Sequence, residues 1–221
     1  MRKRSGKSRL LAAALLAAVL FNWILADQLR KSAGETNTGF FISDEPVSDT
    51  VSREICFFPI AAGEDSSLTF DFADTWMAER SYGGDRAHEG CDIIPSVDQR
   101  GICPVVSMTD GLIENIGWLT LGGYRIGIRS DSGVYYYYAH LESYAEGLSV
   151  GQEVLAGEFL GFVGDSGYGD EGTTGQFVTH LHIGIYVPDK DGKDTAVNPY
   201  PYLDAVREMR VQAEYTAGIL K

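Results

Sequence analysis

Cations are the scarcer charged class in this chain, with 18 lysines and arginines against 31 acids and a formal net charge of −13. The shortage in the body of the chain is deeper than that figure. Arg2, Lys3, Arg4, Lys7 and Arg9 crowd the first nine residues with no acid among them, which leaves the remainder near −18. Nucleic-acid binding rests on neutralising phosphates, so a domain this acidic is excluded from that class. Cysteine is sparse too, and three copies cannot close into a complete set of intrachain disulfides. Cys56 with Cys91 and Cys91 with Cys103 are both open pairings, and nothing in the spacing chooses between them. Histidine is limited to four copies, His88, His140, His180 and His182. That scarcity is informative, because each copy lies beside a glycine-rich turn or at the end of a β-type run.

What is present has a clear order. Leu10 to Ala26 runs 17 residues without a charge. As a helix it would be roughly 25 Å long, at the short end for a bilayer span. It is slightly long for the apolar core of a cleaved signal. Ala26 suits the last position before a cleavage site, but Ile24 fits the third-last position badly, and no lipobox cysteine follows. Residues 1–26 are therefore expected to be a basic start and a signal anchor in the cytoplasmic membrane, with cleavage and secretion as the alternative. Basic residues ahead of the span keep the N-terminus inside and put the rest on the extracytoplasmic side. Residues 27–54 read as a polar stalk, about 30 Å long on average if flexible, and the folded body is expected from Ile55.

Within that body, 26 glycines and 12 tyrosines favour a β-rich domain with tight turns. The clearest predicted strands are Val105 to Met108, Leu112 to Ile116, Arg125 to Arg129, Val134 to Ala139, Phe159 to Val163 and Val178 to Val187. Asp110-Gly111, Gly122-Gly123, Asp131-Ser132-Gly133 and Gly164 to Gly167 separate them. Short strands at such intervals predict antiparallel sheets rather than a βαβ fold. Leu203, Val206, Met209 and Ala213 predict a C-terminal helix from Tyr202 to Leu220, covering the terminal segment 204–221. No internal repeat stands out.

In a strand, residues two apart share a face, so His180 and His182 project together. His88 and Asp92 also share parity if extended, and His140 closes the tyrosine run on another strand. Imidazole and carboxylate are the ligands of a tetrahedral zinc that keeps one position open. Glu89 has the opposite parity and reads as a solvated side chain. Cys91 points away from His88 and Asp92, which suits a small buried hydrophobe or a disulfide partner. Of the four consecutive tyrosines, Tyr136 or Tyr138 is expected to face the groove, with Tyr138 taken as a substrate contact.

These segments resemble the lysostaphin/LytM-type zinc endopeptidases, which cut peptidoglycan peptides. The resemblance rests on His88-Glu89-Gly90-Cys91-Asp92 with Arg86 ahead of it, on Tyr138-Ala139-His140-Leu141, and on His180-Leu181-His182 with Asn198-Pro199 beyond it. The stretch GLSVGQEVLAGEFLGFVGDSG is similar to the family's paired glycine-valine turns. Coverage runs from about Phe57 to Leu203, which makes 55–203 the expected metallopeptidase domain. The resemblance implies a mainly β, compact antiparallel, duplicated-hybrid-motif-like core with an open groove. It further implies one zinc per chain on His88, Asp92 and His182, with His140 and His180 as the catalytic pair. His180 is assigned general base and His140 the hydrogen bond to the tetrahedral intermediate, with exchanged roles as the alternative. The implied partner is a peptidoglycan peptide, either a cross-bridge or a stem peptide. A non-catalytic module that activates or scaffolds another wall hydrolase is the rival reading, as is a wall amidase. Such modules lose ligands or catalytic histidines, and none is missing here.

Overall fold

Along Cys91 to Pro95 and along Tyr135 to Tyr138, every second side chain disappears from solvent, which marks sheets with one face in a core. The computed structural model describes residues 47–63, 68–81 and 85–213, with the backbone of Tyr215–Thr216 and Ile219–Leu220. The expected membrane segment and most of the expected stalk lie outside the described residues.

The chain enters through helix α1 (Val47–Glu54) and then forms short strands. In order they are β1 (Phe70–Asp71), β2 (Glu79–Arg80), β3 (Arg86–Ala87), β4 (Cys91–Pro95), β5 (Pro104–Val106), β6 (Gly111–Leu119) and β7 (Gly123–Arg129). There follow β8 (Tyr135–Tyr144), β9 (Glu153–Val154), β10 (Phe159–Val163), β11 (Leu181–Pro188) and β12 (Asp194–Val197). Helix α2 (Tyr200–Ala205) and a hairpin of β13 (Tyr215–Thr216) and β14 (Ile219–Leu220) come last. The main sheet runs β1-β4-β11-β8-β7-β6-β9, with β12 added to β11 and β10 bridging β5 and β8. Its pairings are antiparallel, as expected from the turn spacing.

The core is the inner face of this sheet. Ile93, Ile126, Ile128, Tyr136, Tyr138, Ile183 and Ile185 are fully buried. Each of the five isoleucines stabilises the fold by about 1.5–3 kcal/mol relative to exposure. Phe58 stacks on Phe70 with ring centroids 4.5 Å apart, sealing one end.

Two expectations need correction, and the open choice for the cysteines is settled. Helix α1 lies in the segment read as stalk, yet Val51 and Ile55 are in the core and Glu54 accepts a 2.9 Å hydrogen bond from the Tyr136 hydroxyl. Folding therefore starts before Ile55. Val51 and Ile55, four residues apart in a polar stretch, were too thin a stripe to read as amphipathic. The predicted C-terminal helix stops at Ala205. Beyond it the chain runs extended beside Phe58–Ala62, where Phe58 N–H donates to Met209 and Ala62 N–H to Val211. Arg210 fixes that course by donating to the Ile60 and Ala61 carbonyls. Tertiary pairing overrode a weak helical spacing. The cysteines are free, and Cys91 and Cys103 are core residues, which leaves both disulfide pairings unmade. Burial pushes the Cys91 thiol up to about 12, with the Asp92 and Asp74 charges adding to it.

Candidate active site

Strands β4, β11 and β8 lie side by side, and their pairing delivers the site. His182 on β11 faces Asp92 on β4 across one rung and Ala139 on β8 across the other. His88 stands four residues before Asp92, at the end of the β3 segment. The three side chains converge: His88 Nε2 lies 3.1 Å from Asp92 Oδ1 and 3.0 Å from His182 Nδ1, and His182 Nδ1 lies 2.9 Å from Asp92 Oδ1. Among the described residues this is the cluster with metal-ligand composition.

Hydrogen bonds behind the rings decide which nitrogen faces inward. His88 Nδ1 is 3.1 Å from the Thr75 carbonyl, which only accepts, so His88 carries its proton there and offers a lone pair at Nε2. His140 Nδ1 donates to the Ser166 carbonyl at 2.8 Å, and His180 Nδ1 to the Val178 carbonyl at 2.8 Å. Both therefore present a bare Nε2 to the centre. Their rings are 4.7 Å apart, and His180 Nε2 is 3.8 Å from Asp92 Oδ1.

The electrostatics suit metal ligation. Burial pulls the His182 ring below its ordinary value, against its contact with Asp92, and pulls His140 further down with help from the charges of His180 and His182. Burial alone would raise the Asp92 carboxyl. Contact with the His182 and His88 rings outweighs it and holds the group well below the usual carboxylate range. Two imidazoles and a carboxylate with lone pairs on one point are a donor set that fits zinc.

Backbone irregularities position the catalytic pair. Tyr124 pairs with Leu141 and Ile126 with Tyr138, so Arg125 faces both Ala139 and His140. This bulge puts His140 in the left-handed region, at φ 63°, an uncommon conformation for a side-chain-bearing residue that clusters at functional sites. Without the bulge, His140 would point into the core and Leu141 into the groove. Gly123, at φ 63°, allows the Ser166 backbone to approach this corner. Gly90 lies against the His182 ring, where a side chain would meet the Ile183 carbonyl oxygen at 2.7 Å.

All five expected histidine and aspartate positions line one open groove of about 900 Å³. Glu89 is exposed at its rim, in keeping with a solvated side chain. Tyr138 is a correction. It is fully buried and its hydroxyl accepts from the Met108 N–H at 2.8 Å, so it supports the core. Tyr135 and Tyr137 face the groove instead. Alternation told that the tyrosines divide between two faces, but only the register of β8 decides which pair is inside. Sequence reading also passed over Arg80, whose Nη2 donates to Asp92 Oδ2 at 2.6 Å, and Arg125. A basic residue in an acidic chain was the available signal for both.

Comparison with known proteins agrees with this geometry. Residues 86–199 match Peptidase family M23. An L-Ala–D-Glu endopeptidase of Bacillus subtilis is 43% identical over 62% of this chain and 40% of its own length. A glycyl-glycine endopeptidase of Staphylococcus capitis is 31% identical over 52% of this chain and 29% of its own length. The chain thus spans less than half of the curated relatives it matches. A crystal structure from Ruminococcus gnavus, provisionally named a LytM glycyl-glycine endopeptidase, is 48% identical with a TM-score of 0.69, over 75% of this chain and 66% of that one. With the match extending over half its length and the antiparallel fold shared, the chain belongs to peptidase family M23.

Proposed function

We propose that this protein is a zinc endopeptidase that hydrolyses peptide bonds of bacterial peptidoglycan, exported and held at the cell membrane by residues 10–26. The observation that carries the catalytic reading is the convergence of His88 Nε2, Asp92 Oδ1 and His182 Nδ1 beside two histidines that each turn a bare Nε2 inward. Relatives whose names state a bond cut peptide bonds, L-Ala–D-Glu in one case and glycyl-glycine in another. The non-catalytic alternative finds no support in the geometry, since no ligand or catalytic histidine is missing.

His88, Asp92 and His182 would hold the zinc, with His182 keeping its proton on Nε2. When bound, zinc polarises a carbonyl and brings the pKa of water from 15.7 to about 7. His180 is the general base: its Nδ1–H is held by the Val178 carbonyl, which leaves Nε2 to accept a proton. The same ring then returns the proton to the leaving amine. His140, kept neutral by burial, has its only proton on Nδ1 and so accepts at Nε2. It orients the attacking water, and gains a donor for the developing oxyanion only when a proton reaches it.

Two experiments test the reading. Purified peptidoglycan digested with the zinc-loaded protein should yield new amine termini, identified by mass spectrometry. No new amine, under conditions where zinc is bound, defeats the catalytic assignment. For the anchor, full-length protein should resist a high-salt wash of the membrane pellet and dissolve only in detergent. A soluble mature form starting near Asp27 would instead support secretion.

A further inference from the structure

Three arginines enter the groove, and two are engaged. Arg80 donates to Asp92, and Arg86 Nη2 donates to the Tyr168 hydroxyl at 2.9 Å. Arg125 differs. Its Nη1 is buried and has no hydrogen-bond partner among the described residues. The backbone beneath it is fixed, with its N–H donating to the Tyr144 hydroxyl at 3.1 Å and that hydroxyl lying 3.2 Å from its carbonyl. Arg125 as a whole is half-buried and lines the groove, and a buried donor atom left without an acceptor is costly and calls for an explanation. The acids of the groove do not supply one. Asp194 is paired with Arg129, Asp92 with Arg80 and the histidines, and among the described residues Glu89 makes no ion pair with Arg125.

The strand register says what could reach Arg125. Arg125 faces the Ala139–His140 bulge, Ala139 faces His182, and His182 faces Asp92. A single row on the groove side of the sheet therefore runs Arg125, Ala139, His182, Asp92. Strands about 4.8 Å apart put the backbones of Arg125 and His182 about 10 Å from each other. The gap can be spanned by the long arginine side chain and one extended residue of peptide, at about 3.3–3.6 Å per residue. Ala139, the smallest side chain in the row, leaves that path open. A planar guanidinium recognises a carboxylate with two parallel hydrogen bonds. A peptide of glycine alone offers no such group.

We propose that Arg125 is a specificity-determining residue that binds a free carboxylate of the substrate within one residue of the cleaved bond, which makes the substrate an acidic wall peptide rather than a glycine bridge. The proposal rests on the endopeptidase reading above, and its test separates the two. Two synthetic peptides are compared that differ only in one group beside the cleaved bond, a free carboxylate or its carboxamide. The proteins are the zinc-loaded full chain, Arg125→Gln and Arg125→Lys, each checked for zinc content and melting temperature. Wild type should favour the carboxylate peptide by about 10- to 100-fold in kcat/KM, the range of a charged hydrogen-bonded contact. In Arg125→Gln the ratio should fall to about one, with Arg125→Lys between. An equal ratio in wild type, or a preference that survives in Arg125→Gln, overturns the proposal. If no protein cuts either peptide, the endopeptidase reading fails, and calorimetric binding of the same peptides then decides the arginine alone. Tighter binding of the carboxylate by wild type only is expected, and equal binding by wild type and Arg125→Gln rejects it.

Discussion

Arg80 and Asp92 divide the labour of one carboxylate. Arg80 Nη2 donates to Oδ2 at 2.6 Å, while Oδ1 is left to face His88 and His182. The guanidinium thereby holds one carboxylate oxygen and leaves the other for the metal that the proposed function requires. Partners of this kind typically contribute 10–100-fold to metal affinity or activity. Arg80→Gln should lower zinc affinity by about that factor in a chelator competition. Arg80→Lys, which keeps one charged donor, should fall between. An Arg80→Gln protein that holds zinc as tightly as wild type would remove this positioning role.

The three ligands should be unequal to any substitute. His88→Ala, Asp92→Ala and His182→Ala each delete one of three protein donors, so each should lose stoichiometric zinc and all peptide hydrolysis. Metal content measured by atomic absorption, beside a circular dichroism spectrum to establish folding, checks this. A folded variant that retains one zinc per chain takes that residue out of the ligand set.

The catalytic pair should separate from the ligands. His140→Ala and His180→Ala leave the donor cluster whole, so zinc and fold should persist. Turnover should drop by about 10² or more in each, the usual worth of a general base or an intermediate-stabilising group. Single-turnover rates on a wall peptide read this out, and near-normal rates in either variant contradict its assigned role.

Tyr138 and Tyr137 should behave differently despite being neighbours. Tyr138→Phe strips the partner from the buried Met108 N–H, which costs about 1–3 kcal/mol of stability. Its melting temperature should fall by several degrees while KM holds, because the ring faces the core. Tyr137→Phe alters the groove wall and should move KM with little change in melting. Thermal scans and steady-state kinetics on both variants test the two faces, and the reverse pattern would falsify the register of β8 described above.

Much of this protein was legible from the order of its residues. Period-two alternation is a local property, so His180 and His182 could be placed on one face, and the spacing of His88 and Asp92 seen as compatible with a shared metal. The six clearest strands and their antiparallel character followed from β-type runs separated by glycine turns at short intervals. The tertiary structure decided what depends on register and on contacts distant in sequence. The bulge opposite Arg125 turns His140 outward and Leu141 inward, and the same register hides Tyr138 while exposing Tyr137. The carbonyls of Thr75, Ser166 and Val178 choose which nitrogens face the centre, although only that of Val178 is near its histidine in sequence. Arg80 meets Asp92 from another strand, twelve residues away. At the C-terminus, pairing with Phe58–Ala62 outweighed a helical spacing, because backbone partners and the Arg210 contacts were available only in the folded chain. Local pattern specifies which residues can share a face, and only packing determines what that face meets.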